Sequence, residues 1–488
     1  ESPERPIVIL RARQGSRLPE AIAPRNPYIG VFLPYTPIQH LLFSRGNFAA
    51  LVMTSANLSE EPLCIDNDEA LERLRGITDF FLVHNRDILL RCDDSVVRAA
   101  AGGTQMLRRS RGFVPVPLML EHGGSPVLAV GGELKNSVCL TKGNHAFLGQ
   151  HIGDLENLAA YNLFEESIAH LQNILEIKPA VIAHDLHPGY LSTQWASRQK
   201  SIPTVAVQHH HAHAASCMTE NHLSAPVIGV VLDGTGYGSD GAAWGGEVMI
   251  ADLGGFRRVA HLEYTAMPGG AQAIREPWRM AVAYLAKAGE KCLAEGLRHL
   301  NAIPANEIEI VRRMAQQRIQ SPLSSSCGRL FDGVASLIGL RTTVTFEAQA
   351  AAELEFCWRD GVEGDEYHFP VRRGECLEIE TGPLFEQIVD DLSRNVSPET
   401  ISQRFHQGLV TTLANLVQSI SQDSGIKTVC LSGGCFLNEH LASGLVRSLK
   451  SRALPVYTQS QVPCGDGGLS LGQAAIAAYS GKGTNHHE

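Results

Sequence analysis

Apolar residues along the chain fall into two alternating patterns. Short β-rich runs recur at 127–130, 180–183, 205–207, 227–232 and 428–431, each with the length and character of a buried strand. Between them, apolar positions step by three and four, as at Tyr161, Phe164, Ile168, Leu171 and Leu175 and again at Leu409, Leu413, Leu416 and Ile420. That spacing marks one face of an α-helix. Strands alternating with helices predict a large α/β unit with mostly buried sheets. Upstream, runs at 30–33 and 49–53 end in polar turns and 68–74 has a helical pattern, which predicts a second α/β region. Between the regions lies GFVPVPLMLEHGGSP (112–126), whose three prolines and three glycines predict a linker.

Two stretches share a layout. In both 127–149 and 227–252 a strand meets a glycine-rich turn and continues as hairpin strands. Two such hairpins, each opening its own α/β half, predict a duplicated fold with a cleft between the halves.

Composition narrows the class. At 488 residues the chain exceeds the roughly 150 residues usual for one domain, so at least two cores are expected. With 44% hydrophobic and 19% charged residues it reads as a globular protein and not a disordered or fibrous one. A net charge of −10 argues against nucleic acid or an anionic membrane as a general partner. No apolar run approaches the roughly 18 residues of a membrane span, and ESPERPIVIL lacks the apolar core of a signal peptide. The eleven cysteines contain no C-x-x-C pair. That excludes a zinc ribbon and fits scattered reduced thiols, with a cytoplasmic location as the default.

Several positions bear chemistry. In Gln208-His209-His210-His211-Ala212-His213, a helix starting after the run at 204–207 would put His209 and His213 on one face, where two imidazoles can share a metal ion. The alternative is an exposed polar tract that binds metal adventitiously. Asp233, at the end of the run 227–232, and Asp466, in Gly465-Asp466-Gly467-Gly468, are the carboxylates that could complete the ligand set, or ordinary Asp-Gly turn residues. Ser432-Gly433-Gly434 could let backbone amides approach a nucleotide or be a tight strand–helix turn. Cys435 could be a nucleophile or a packed thiol. Ser55 and Asn57 suit a phosphate or ribose, and Arg109 and Arg111 a polyphosphate; an N-cap turn and a solvated basic patch are the simpler alternatives.

The order of these motifs resembles a known family. GVFLPYTPIQHLL, MTSANLSEEP, RCDDSVV and LRRSRGFVP resemble the later part of a YrdC-type adenylate-forming domain. HDLHPGYLST (184–193), QHHHAHAAS (208–216), LDGTGYGSDGAAWGGE (232–247), REPWRM (275–280), GRLFDGVASL (328–337) and CGDGGLSLGQA (464–474) are similar to the actin-like metal-dependent transferases. Together they resemble the hydrogenase-maturation carbamoyltransferases of the HypF family. The resemblance implies an α/β chain with a partial YrdC-like domain at 1–118. A two-lobed actin-like (ASKHA, duplicated RNase H-like) transferase domain follows at 119–488, with lobes near 126–222 and 223–488. The family's acylphosphatase domain, its C-x-x-C zinc modules and the opening of its YrdC-like domain have no counterpart here. Together with the start at Glu1 in place of Met, that gives the expectation of a fragment.

The implied reaction is ATP-dependent. Carbamoyl phosphate is dephosphorylated, the carbamate reacts with ATP to give carbamoyl adenylate, and the carbamoyl group passes to the C-terminal cysteine of HypE, the precursor of a cyanide ligand of [NiFe]-hydrogenase. The implied cofactors are ATP, with Mg²⁺, and one divalent zinc or iron held by His209, His213, Asp233 and Asp466. Nucleotide contacts are implied at Ser55, Asn57, Arg109, Arg111, Gly131, Gly132, Lys135, Asn136, Gly234, Gly236, Asp332, Glu347, Gly433, Gly434 and Asn438. Glu276 is expected either to contact substrate or to steady Arg275 and Arg279. Two alternatives stand beside this reading, an actin-like kinase or ATPase and a YrdC-type RNA-binding module. Paired histidines disfavour the first, since such kinases rely on Mg²⁺ and carboxylates, and the acidic net charge disfavours the second.

Overall fold

A computed structural model describes residues 2–480 apart from 14, 16–17, 59–60, 101 and 360–364. Glu1 and, in the MTSANLSEEP motif, Ser59 and Glu60 lie outside the described residues. Contacts divide the chain into two units. One joins residues up to Ala99 with Gly103–Val207 and the segment from Gln459 onward, and the other is Gln208–Thr458 with Ala100–Gly102.

The first unit opens with a sheet of β1 (Ile7–Arg11), β2 (Tyr28–Val31), β3 (Val96–Ala100) and β4 (Gly103–Arg108) in the order β2-β1-β3-β4. Helix α1 (Pro37–Arg45) starts at a capping box in which Thr36 and Gln39 serve each other's backbone. Helix α2 (Asn67–Arg73) starts at Asp66, which accepts from the amides of Asp68 and Glu69. Neither helix buries a residue. The run at 49–53 is not a strand: no neighbouring strand pairs with it among the described residues, and Val52 is 79% exposed. An apolar run without a ladder partner leaves its backbone groups to water.

A second sheet follows, with β5 (Leu118–Gly124), β6 (Val127–Ala129), β7 (Cys139–Leu148), β8 (Val181–Asp185) and β9 (Thr204–Val207) in the order β5-β7-β6-β8-β9. The segment predicted as a linker therefore contains strand β5, paired antiparallel with β7. Leu118 and Leu120 alternate inward with Met119 and Glu121 outward, the period-2 signal that the flanking prolines and glycines mask. Helix α3 (Leu158–Leu175) buries Leu163, Phe164, Ile168 and Leu171 against Leu128, Val130, Leu140 and Ile182, as its spacing predicts. Each such side chain contributes about 1.5–3 kcal/mol on burial. Helix α4 (Leu191–Arg198) follows β8, and the helix Leu469–Ser480 returns from far along the chain to pack on this sheet.

The second unit begins with helix α5 (His209–Glu220) and the antiparallel meander β10 (Val227–Tyr237), β11 (Ala243–Asp252) and β12 (Gly255–Leu262). Helix α6 (Cys327–Leu337) is buried at every residue. Helix α7 (Pro398–Ser424) buries Leu409, Leu413, Leu416 and Ile420. Strand β13 (Val429–Ser432) pairs parallel to β10, helix α8 (Glu439–Ser451) follows, and β14 (Val456–Tyr457) pairs parallel to β13. The same path, outer strand, hairpin, then two parallel strands, runs through β5-β7-β6-β8-β9 and β12-β11-β10-β13-β14. The duplicated α/β layout inferred from the two hairpins is thus present. The copies differ in the outer strand, which precedes the hairpin in the first and follows it in the second.

The turn after β13 depends on one glycine. Gly433 has φ 103°, and a Cβ there would lie 2.2 Å from the carbonyl oxygen of Leu232. Gly433→Ala is expected to lower the unfolding free energy by about 2 kcal/mol or more, read by chemical denaturation; an unchanged midpoint would contradict this account of the turn.

Candidate functional site

The histidine tract is not a surface feature. Strand β9 ends at Val207, and Gln208 caps α5 by accepting a hydrogen bond from the His211 amide at 2.8 Å. Its side-chain nitrogen donates to the Tyr237 carbonyl at 3.0 Å, which ties the helix start to β10. Every residue of α5 is buried. His209 and His213, one turn apart, bring their ring centroids to 5.0 Å. Gly236 makes room for this: a Cβ there would stand 2.5 Å from Cδ2 of His209.

Asp233 lies inside β10, not in a turn, and is 4% exposed. Its Oδ1 accepts from the Gly434 amide at 2.9 Å. Its Oδ2 stands 3.3 Å from Nε2 of His209 and 3.7 Å from Nε2 of His213. Burial alone would push this carboxyl up, but hydrogen bonds and charge from His209 and His213 outweigh it and hold the group well below the usual range. His210 beside them is pushed well below the ordinary imidazole value by burial and by His209, so it is neutral.

His209, His213 and Asp233 each offer one ligand atom within 4.8 Å of the others. Two imidazole nitrogens and one carboxylate oxygen, buried and converging, form a donor set that suits a borderline divalent ion such as zinc or iron. The arrangement fits the implied metal on its chemistry. Asp466 belongs to the other unit, at the head of the short 3₁₀ turn Asp466–Gly468. There Ser137 Oγ donates to the Gly467 carbonyl at 2.8 Å.

The remaining positions divide by what they touch. Gly131 adopts φ 71°, and Asn136 donates to the carbonyls of Val130 and Gly132 at 2.9 and 2.6 Å, so that amide braces the turn. Lys135 also has positive φ. Gly234 lies within the register irregularity between Leu232 and Gly236 in β10, and Gly236 ends it; Ser326 Oγ donates to the Gly234 carbonyl. After Gly433 the chain makes a short 3₁₀ turn at Gly434–Leu437, and Asn438 caps α8 through the Leu441 amide while its Nδ2 meets Nε2 of His406 at 2.9 Å. Asp332 is buried against Arg329 at 2.8 Å, and Glu347 is exposed.

In the first sheet's region, Ser55 is exposed and Asn57 bonds the carbonyls of Leu58 and Glu61. Arg109 is buried and donates to the Val116 carbonyl at 2.7 Å. Arg111 spends its guanidinium on Asp94 and the carbonyls of Glu4 and Arg5 and lies 3.5 Å over the Tyr35 ring. Glu276 pairs with Arg279. The hydrogen bond that its thiol shares with Cys327, followed by burial, pushes Cys435 well above the ordinary thiol range, which suits packing better than nucleophilic attack.

One residue beside the site carries no separate signal in the sequence reading. Glu247 is fully buried in β11, accepting from the amides of Gly245 and Gly246, from Ser325 Oγ at 2.6 Å and from Arg258 Nε at 2.6 Å. Its place in the WGGE run was the available clue, since a carboxylate next to paired glycines meets bare amides.

Comparison with known proteins matches three successive segments. Residues 1–110 match the profile described as telomere recombination (Sua5, YciO and YrdC), 122–220 the HypF Kae1-like domain, and 229–473 the second subdomain of the carbamoyltransferase Kae1-like domain. The chain is 43% identical to carbamoyltransferase HypF2 of Cupriavidus necator over 97% of its own length and 63% of that protein. It is 37% identical to a carbamoyltransferase HypF homolog of the same organism, covering 72% of this chain and 92% of that one. A crystal structure of full-length HypF in a phosphate- and nucleotide-bound form superposes with a TM-score of 0.94 at 42% identity, covering 99% of this chain and 63% of that one. The chain thus spans a little under two thirds of the length of the longer relatives.

The three ligand positions are testable without an activity assay. His209→Ala, His213→Ala and Asp233→Asn are each expected to reduce bound zinc or iron from about one per chain to a small fraction, measured by inductively coupled plasma mass spectrometry. Metal loss of 10-fold or more is the scale expected from removing one ligand of a closed site, about 1.4 kcal/mol per factor of ten. Stoichiometric metal in the His209→Ala, His213→Ala double variant would refute the assignment.

Proposed function

The chain belongs to the HypF carbamoyltransferase family, and from that premise we propose that it carries a carbamoyl group from carbamoyl phosphate, through carbamoyl adenylate, to the C-terminal cysteine thiolate of HypE in the cytoplasm. The product serves cyanide ligand synthesis for [NiFe]-hydrogenase. The observation that carries the reading is the buried cluster of His209, His213 and Asp233 flanked by the glycine-rich turns at 234–236 and 433–434.

Water first splits carbamoyl phosphate into carbamate and phosphate, and two chemical steps follow. Carbamate oxygen attacks the α-phosphorus of Mg²⁺-bound ATP and pyrophosphate leaves; the thiolate sulfur then attacks the carbamoyl carbon and AMP leaves. The first step is assigned to the YrdC-like region around Ser55, Asn57, Arg109 and Arg111, and the second to the Kae1-like region.

His209, His213, Asp233 and Asp466 would hold the zinc or iron ion, which when bound would supply Lewis acidity and balance phosphate charge. The chain's own residues orient the adenylate. The turns at Gly131–Gly132, Gly234–Gly236 and Gly433–Gly434 let backbone amides approach its phosphate, with Lys135, Asn136, Asp332, Glu347 and Asn438 around the nucleoside. Asp233, fixed through Oδ1 by the Gly434 amide, keeps its other oxygen toward the imidazoles. A buried setting of this kind also keeps water from an acyl adenylate that would otherwise hydrolyse. No helix among the described residues is long and apolar enough to cross a membrane.

Incubation with ATP, carbamoyl phosphate and HypE is expected to give AMP, pyrophosphate and HypE heavier by one carbamoyl group, read by ion-exchange chromatography and intact mass spectrometry. ADP formed without AMP would establish a kinase or ATPase instead. Tight, salt-sensitive RNA binding without nucleotide turnover would establish the nucleic-acid reading.

A further inference from the structure

The turn that follows β6 is braced by two side-chain amides that share its peptide groups between them. Asn136 takes the carbonyls of Val130 and Gly132. Gln473 takes both backbone groups of the residue in the middle. Its Oε1 accepts from the Gly131 amide at 2.9 Å and its Nε2 donates to the Gly131 carbonyl at 3.2 Å. The glutamine is fully buried on the helix Leu469–Ser480. Gly131 cannot be replaced by a bulkier residue, because a Cβ would lie 2.5 Å from the Ser137 carbonyl oxygen.

The same helix start is tied to the turn a second time. Ser137 Oγ donates to the Gly467 carbonyl at 2.8 Å and meets Ser470 Oγ at 3.1 Å. A Cβ on Gly132 would stand 3.5 Å from Oδ2 of Asp466. Within this unit, one buried amide therefore sets both the shape of the Gly131–Gly132 turn and its position beside the Asp466 segment.

We propose that Gln473 is a positioning residue for nucleotide binding: by pairing with both backbone groups of Gly131 it holds the Gly131–Gly132 turn in the conformation that receives the nucleotide phosphate. The inference rests on the reading of that turn as part of the nucleotide cradle. With the Gly131 amide taken by Gln473, the Gly132 amide is the one offered to phosphate; a bare amide binds phosphate only when the backbone that carries it is held still, and a glycine pair does not hold itself. Gln473 supplies the restraint without touching the ligand.

Hydrogen exchange on the whole chain with AMP as the probe separates the possibilities, because protection can be read in the segment 128–137 alone. In the wild-type protein AMP is expected to protect that segment. Gln473→Leu keeps the volume and removes both hydrogen bonds, and is expected to raise the AMP concentration for half-protection about tenfold or more while unfolding remains cooperative. Gln473→Glu keeps an acceptor for the Gly131 amide but, when ionised, has no donor for its carbonyl. It is expected to weaken protection several-fold and decides the matter if the leucine variant does not fold. No AMP protection at 128–137 in the wild type would overturn the nucleotide reading and this inference together. Protection in the wild type with an equal midpoint in Gln473→Leu, or in Gln473→Glu where only that variant folds, would overturn the inference alone.

Discussion

A carboxylate buried between two imidazoles sets the terms for the second unit. Asp233 is almost without solvent, and an ion in that position costs several kcal/mol unless partners replace its water. The partners are specific: the Gly434 amide on one oxygen and the nitrogens of His209 and His213 facing the other. Meeting those demands requires a wholly buried helix α5, a strand β10 whose register breaks next to Asp233, and glycines at 236 and 433 where side chains would collide. Removing one partner would leave the others as uncompensated polar groups in the interior.

This constraint also explains how the local scaffold is layered. Around the cluster sits a second ring of committed polar groups. Gln208 joins the start of α5 to Tyr237 at the end of β10, Glu247 gathers the amides of Gly245 and Gly246 with Ser325 and Arg258, and Ser326 reaches the Gly234 carbonyl. Such outer contacts fix the direction of a ligand without binding the metal. In the first unit, Asn136 and Gln473 do the corresponding work for the Gly131 turn. Both halves thus use side-chain amides and carboxylates to hold glycine-rich backbone, which is flexible wherever it is not held.

The parts of this arrangement legible in the sequence were those with a period or a dense motif. Leu163, Phe164, Ile168 and Leu171 announced α3, the hairpins announced the duplication, and the spacing of His209 and His213 placed two imidazoles on one face. Strand β5 was hidden because the three prolines around it, with Gly112 before it and Gly123 and Gly124 at its end, outweighed the two-residue alternation of Leu118 and Leu120. The run at 49–53 misled for the opposite reason, since its composition favours a strand but strand formation depends on a neighbour the composition does not reveal. Gln473 was invisible as a positioning group. It acts on backbone across 342 residues, and no spacing rule links a buried amide to a distant glycine.

The central claim is that the buried histidines and aspartate form a metal centre and not merely a neutralised His–Asp cluster. X-ray data from crystals of this chain, collected on both sides of the zinc and iron absorption edges, test it most directly. The account requires an anomalous peak within bonding distance of Nε2 of His209, Nε2 of His213 and a carboxylate oxygen of Asp233. Ordered side chains at all three positions with no anomalous peak in metal-supplemented crystals would contradict it.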